Sequence, residues 1–225
     1  AVMQAPLVIV WHSRTGAARA MAQAAAAGAE GRARLIEAAE AGAEDLLAAA
    51  DAAIKAMLIV GEGKAFIAGA DIREFGKHAM PPSLPEVCNA IEACPKLVVA
   101  AIHGPALGGG LEVALSAHYR LALPKAQLGL PEVNLGLLPG AGGTQRAPRV
   151  MGVKAATELM LSGKHLNAKA AAAAGLVDQL VDGDDVLAAG LAYTRGLVAA
   201  GTAVRRTRDM DIADKAAALA ELDAL

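Results

Sequence analysis

Three runs of aliphatic residues constrain the architecture most: LVIV at Leu7–Val10, MLIV at Met57–Val60 and LVVAAI at Leu97–Ile102. None carries a charge, and each is too short to be a buried helix. Such runs read as strands covered on both faces, the pattern of a parallel sheet. Arg34–Ile36 and Tyr119–Ala122 read as further short strands. Between them lie helical stretches at Ala17–Ala27, Ala43–Ala52, Val153–Leu161, Ala168–Ala174 and Val186–Ala199, several of them rich in the good helix former alanine. Pro81, Pro82 and Pro85 mark a surface loop, and Leu135–Thr144 is read as a Gly/Pro-rich loop. Strands alternating with helices predict an α/β fold with crossover connections. A chain of 225 residues suits one such core, built from Ala, Val, Leu and Ile because aromatics are only 2%.

A formal net charge of −2 gives no electrostatic footprint for nucleic acid or an anionic membrane. No apolar run is long enough to span a bilayer, and the N-terminus does not read as a signal peptide. Cys88 and Cys94 form neither a CxxC pair nor a disulfide framework, which predicts inert thiols and a reduced, cytoplasmic setting.

Chemistry concentrates in three segments. ALGGGLEVAL at Ala106–Leu115 follows a strand and opens a helix. Helix N-termini present unpaired N–H groups, and with no side chains on Gly108, Gly109 and Gly110 a carbonyl oxygen could lie against them. Glu112 then falls in the first turn. GKAFIAGADIREF at Gly63–Phe75 also follows a strand, and its small residues Ala68, Gly69 and Ala70 allow close backbone approach. GLPEVNLGLLPGAGGTQR at Gly129–Arg146 supplies a second carboxylate, Glu132. Two carboxylates at one water can divide general-acid and general-base work if their pKa values are pushed apart.

Together with KLVVAAIHGP and SGKHLNAKAAAAAGLVDQLV, these segments resemble the crotonase superfamily, specifically enoyl-CoA hydratases, over about Ile54 to Arg208. The hydratase half of bifunctional hydratase/dehydrogenase proteins is the nearest variant, with the dehydrogenase half expected to be absent. The resemblance implies a crotonase-like ββα spiral core with C-terminal helices. It implies that the N–H groups of Ala70 and Gly109 bind the thioester oxygen. It implies that Glu132 protonates Cα and Glu112 helps deprotonate the attacking water. Ala68, Gly69, Asp71, Ile72 and Gly108 would line the acyl-CoA site, and Gly140, at the start of a helix, would aim a dipole at the acyl group. Keeping both glutamates favours hydration over an isomerase of the same fold. A homotrimer or hexamer is implied, and no cofactor, since the thioester supplies the activation.

Residues 1–53 do not fit that family. Strand, SRTG loop at Ser13–Gly16 and helix resemble the opening of a flavodoxin-like FMN protein. No aromatic loop follows to bury a flavin ring, so FMN binding is not expected, and residues 1–53 are expected to pack into the same domain as 54–225, with Leu7–Val10 beside Met57–Val60. An inactive chimera is the remaining alternative. His103 is read as structural, because two glutamates already fill the acid and base roles. The other histidines show no ligand spacing, so no metal is expected. Arg205, Arg206 and Arg208 are read as a solvated face.

Overall fold

The computed structural model describes residues 7–12, 33–37, 54–69 and 82–223. Its main sheet contains β1 (Leu7–His12), β2 (Ala33–Glu37), β3 (Ala56–Gly61), β4 (Leu97–Ile102), β6 (Tyr119–Ala122) and β9 (Gln179–Leu180), in the order β2-β1-β3-β4-β6-β9. Every pairing in it is parallel. Leu7 pairs with Ala56 and Val10 with Ile59, which sets the first aliphatic run beside the second, as the sequence suggests. A smaller sheet joins β5 (Pro105–Leu107) in parallel to β7 (Gln127–Gly129), and β7 antiparallel to β8 (Leu166–Asn167).

All residues of β3 and β4 are buried. Alternate side chains serve opposite faces, as the two-residue period of a strand demands. Met57, Ile59, Val98, Ala100 and Ile102 pack on one side with α1 (Leu84–Ala93) and α2 (Gly109–Ser116). Leu58, Val60, Val99 and Ala101 pack on the other against α6 (Val186–Ala199), through residues such as Val186, Leu187 and Leu191. With so few aromatics, layer spacing depends on small residues. A Cβ on Gly190 of α6 would stand 2.9 Å from Leu58 Cδ2 and 3.1 Å from Ala101 Cβ.

The remaining helices are α3 (Gly143–Met151), α4 (Val153–Ser162), α5 (Ala168–Ala173) and α7 (Lys215–Asp223). Two of these elements correct the sequence reading. Pro85 does not sit in a loop: it opens α1, where its missing N–H costs nothing. The Ser83 N–H and hydroxyl both donate to Glu86 Oε2 at 2.7 Å, closing the cap. The second is α3, expected to start at Gly140, which instead begins at Gly143 and runs through Pro148 to Met151.

The third correction concerns the arginine cluster. Arg205 pairs with Asp178, lies 4.5 Å over the Tyr119 ring and donates to His118 O. Arg208 donates its N–H to the buried Glu92, and the Thr207 hydroxyl donates to Leu115 O. Residues 205–208 therefore clasp the C-terminal segment onto β6, α1 and α2, and are not a solvated face.

Candidate active site

The segment 66–69 and the start of α2 lie side by side. Phe66 and Ile67 N–H both donate to Pro105 O, and Leu107 N–H donates to Ile67 O at 3.0 Å. Ile67 bridges in parallel to Ala106. Gly69, at φ 115°, follows that path so closely that a Cβ there would lie 3.6 Å from Leu107 O. Ala68 and Gly69 are exposed and run beside the loop that opens α2. Ala70, Asp71 and Ile72 lie outside the described residues.

The three glycines turn out to have three different reasons. Gly108 has φ +54°, and a Cβ there would face Glu132 Oε1 at 3.3 Å. Gly110 faces backbone: a Cβ would fall 2.0 Å from Ile67 O. Gly109 is different again. It is the first residue of α2, where its N–H has no intrahelical acceptor. Its missing side chain faces the movable end of Leu84, 2.6 Å from where a Cβ would be.

Glu112 lies in the first turn of α2 and is 2% exposed. Its Oε1 accepts the N–H of Ala141 at 2.7 Å and of Gly143 at 2.8 Å. Those two donors come from the start of α3, which begins at Gly143 and not at Gly140. Gly140 is exposed, with nothing within 4 Å of its Cβ direction. The dipole assigned to Gly140 therefore serves Glu112 through Ala141 and Gly143.

Glu132 stands in a short 3-10 helix, Pro131–Leu135, that Gly136 closes in the left-handed region. Burial raises its pKa above the usual carboxylate value, and the nearby charge of Glu112 adds to the rise. Its Oε2 is buried without a hydrogen-bond partner. The two carboxylates are thus near enough to feel each other, yet differently solvated. One oxygen is saturated by backbone donors, while the other carboxyl group has an orphaned oxygen. That is how two acids divide into a base and a proton donor.

His103 keeps the structural role expected: its Nε2 donates to Gly63 O at 3.1 Å, tying the end of β4 to the turn after β3. Cys88 and Cys94 are free and buried, and burial pushes the Cys88 thiol up to about 11. The sequence reading missed Ala141 and Gly143 as donors and Arg146 behind them. GAGGTQR was visible, but which acceptor its amides face is a tertiary fact.

Comparison with known proteins agrees with this geometry. The family model for enoyl-CoA hydratase/isomerase matches residues 35–222, beginning upstream of the motifs that carry the resemblance. The peroxisomal bifunctional enzyme of Danio rerio is 53% identical over 135 residues, which is 60% of this chain and 19% of that protein. A probable enoyl-CoA hydratase of Bacillus subtilis is 48% identical over 56% of this chain and 52% of its own length. The chain therefore spans about a fifth of the bifunctional relative and about half of the other. Among solved structures, an enoyl-CoA hydratase from Bacillus anthracis is 35% identical with a TM-score of 0.63, over 70% of this chain and 65% of that one. One from Magnetospirillum magneticum, described as an enoyl-CoA hydratase/carnithine racemase, is 32% identical with a TM-score of 0.63, over 80% and 69%. The fold, the paired glutamates and the extent of the match together make this chain a member of the enoyl-CoA hydratase/isomerase family, with the crotonase fold.

Proposed function

We propose that this chain hydrates trans-2-enoyl-CoA thioesters to 3-hydroxyacyl-CoA, a step of fatty-acid β-oxidation. The observation that carries the reading is the asymmetry of the glutamate pair: Glu112 Oε1 fixed by two amides, Glu132 desolvated with a free oxygen. With Oε1 occupied, Glu112 Oε2 takes a proton from water as the hydroxyl adds to C3. Glu132 delivers a proton to C2 of the same face. The thioester oxygen, as charge develops, rests on the Gly109 N–H and on that of Ala70, the second donor the resemblance implies. Asp71 and Ile72 belong to the same implied CoA contact. The scheme uses no cofactor, because the conjugated thioester is already activated.

The chain also assembles with copies of itself in this reading, as a trimer or hexamer. Val133, Leu135, Leu137 and Leu138 are exposed beside Glu132, and Leu161 of α4 is 67% exposed nearby in the fold. Apolar surface of this kind favours burial. Residues 1–53 complete the same domain, a reading supported by the parallel pairing of β1 with β3. No described helix is long and apolar enough to cross a membrane. The cytoplasmic setting rests on the two free thiols, and cell fractionation decides between it and the organelle named for the bifunctional relatives.

The test is loss of the conjugated-thioester absorbance of crotonyl-CoA, with separate calorimetric titrations of CoA and FMN. Turnover with CoA binding and no FMN binding is the expected result. Micromolar FMN binding without CoA binding would overturn the hydratase reading and promote the flavodoxin-like one for Ser13–Gly16.

A further inference from the structure

We infer that Arg146, held by a Glu92 that Arg208 fixes in turn, is a positioning residue that keeps the Ala141–Gly143 amides on Glu112. The inference rests on the hydratase reading only for its kinetic arm.

Arg146 is 6% exposed and Glu92 3%. The Arg146 guanidinium reaches three acceptors, one on the loop before α3 and two on α1. Nη1 donates to Ala141 O at 2.8 Å. Nη2 donates to Glu92 Oε2 and to Asn89 Oδ1, each at 3.0 Å. Ala141 is the residue whose own N–H donates to Glu112 Oε1 at 2.7 Å. One peptide unit away from the carboxylate, therefore, the same loop is gripped from behind. Gly142 makes the grip possible, since a Cβ there would fall on Arg146 Nη1.

Glu92 is in turn fixed from two sides. Arg208 donates its backbone N–H to Oε1 at 2.9 Å and places Nε 3.4 Å from Oε2. Burial alone would raise the Glu92 pKa, but the hydrogen bonds and charges of Arg146 and Arg208 outweigh it and hold it below the ordinary value. Glu92 is thus a charged anchor on α1, loaded by two arginines. A chain of contacts runs from the C-terminal clasp through Glu92 and Arg146 to the backbone donors of Glu112. A bidentate, planar guanidinium can bridge a carbonyl and a carboxylate at once, whereas an ammonium cannot hold both in that geometry. Rigid outer contacts of this kind hold catalytic groups in register.

Arg146→Lys keeps a positive charge beside Glu92 and releases Ala141. Its expected signature is a kcat lowered about a hundredfold, the scale of a 1 Å misplacement, with KM for crotonyl-CoA within about threefold of the parent. Amide hydrogen exchange at Ala141 and Gly143 should accelerate in the same variant, measured by NMR without substrate. If Arg146→Lys does not fold, the double variant Glu92→Met/Arg146→Met replaces the buried pair with apolar side chains, a change that buried ion pairs often tolerate, and should show the same two signatures. Parent-like kcat in a folded variant, unchanged exchange at both amides, or a loss confined to KM would each overturn the inference. A parent chain without hydratase activity would sink the functional reading instead, and the exchange arm would still decide the role of Arg146.

Discussion

Gly110→Ala is the sharpest probe of how the site is built. The added methyl would lie 2.0 Å from Ile67 O and 2.8 Å from Ile67 Cβ. Reaching even the tight contact of 3.0 Å requires about 1 Å of movement between α2 and the segment carrying Ile67. Ile67 O already accepts the Leu107 N–H at 3.0 Å, so that bond must stretch or break. Overpacking costs about 1–3 kcal/mol and a lost backbone hydrogen bond about 0.5–1.5 kcal/mol. Alanine returns about 1 kcal/mol of helix propensity. The net cost is about 1–3 kcal/mol, or roughly 2–12 °C in Tm for a chain of this size. The same movement separates the Gly109 N–H from the Ala68–Gly69 segment, and a 1 Å displacement of a binding group costs about a hundredfold in rate. Circular-dichroism melting and crotonyl-CoA hydration measure the two effects. Gly196→Ala is the control: Gly196 is exposed inside α6 with open space around it, and alanine there should stabilise by about 0.5–1 kcal/mol without touching activity. Gly110→Ala with parent Tm and parent rate would refute the close approach of α2 to Ile67.

Three further outcomes are expected. Glu112→Gln and Glu132→Gln should each fold and lose hydration by about a hundred- to ten-thousand-fold, read as initial rates on crotonyl-CoA. Because the Glu132 pKa is raised by burial, its protonated form is favoured in the folded state, so its contribution is present below the unfolded value and is lost as pH rises through the folded one. Glu132→Gln should therefore melt at or above the parent temperature near pH 7 and lose that advantage toward pH 4, and a variant that melts lower at pH 7 would contradict the desolvation. Arg205→Ala should lower stability by about 1–2 kcal/mol through the lost ring contact and the uncovered Asp178, with hydration unchanged, as denaturant melts and rates on the same preparation would show.

Much of the frame was legible in the sequence because its signals are local. Leu97–Ile102, Tyr119–Ala122 and Val186–Ala199 appear where unbroken aliphatic runs and helical spacing put them. The glutamates were legible as carboxylates beside glycine-rich turns. What the sequence concealed is long-range. Gly108, Gly109 and Gly110 look equivalent in one dimension, yet face Glu132, Leu84 and Ile67. Arg208 read as surface charge, and Arg146 only as the end of a glycine-rich motif, because a partner such as Glu92, 54 residues from Arg146 and 116 from Arg208, leaves no periodic trace. The start of α3 was read at Gly140 and not at Gly143, because that start is fixed by the long-range contact with Glu112, and its run through Pro148 carries no local helical signal.

The central claim is that Glu112 and Glu132 together add water across the enoyl double bond. NMR analysis of the product formed from crotonyl-CoA in deuterated water tests it most directly. The account predicts 3-hydroxybutyryl-CoA carrying one solvent-derived deuteron at C2. Recovery of unchanged crotonyl-CoA, or of a shifted double bond with deuterium but no hydroxyl group, would contradict it.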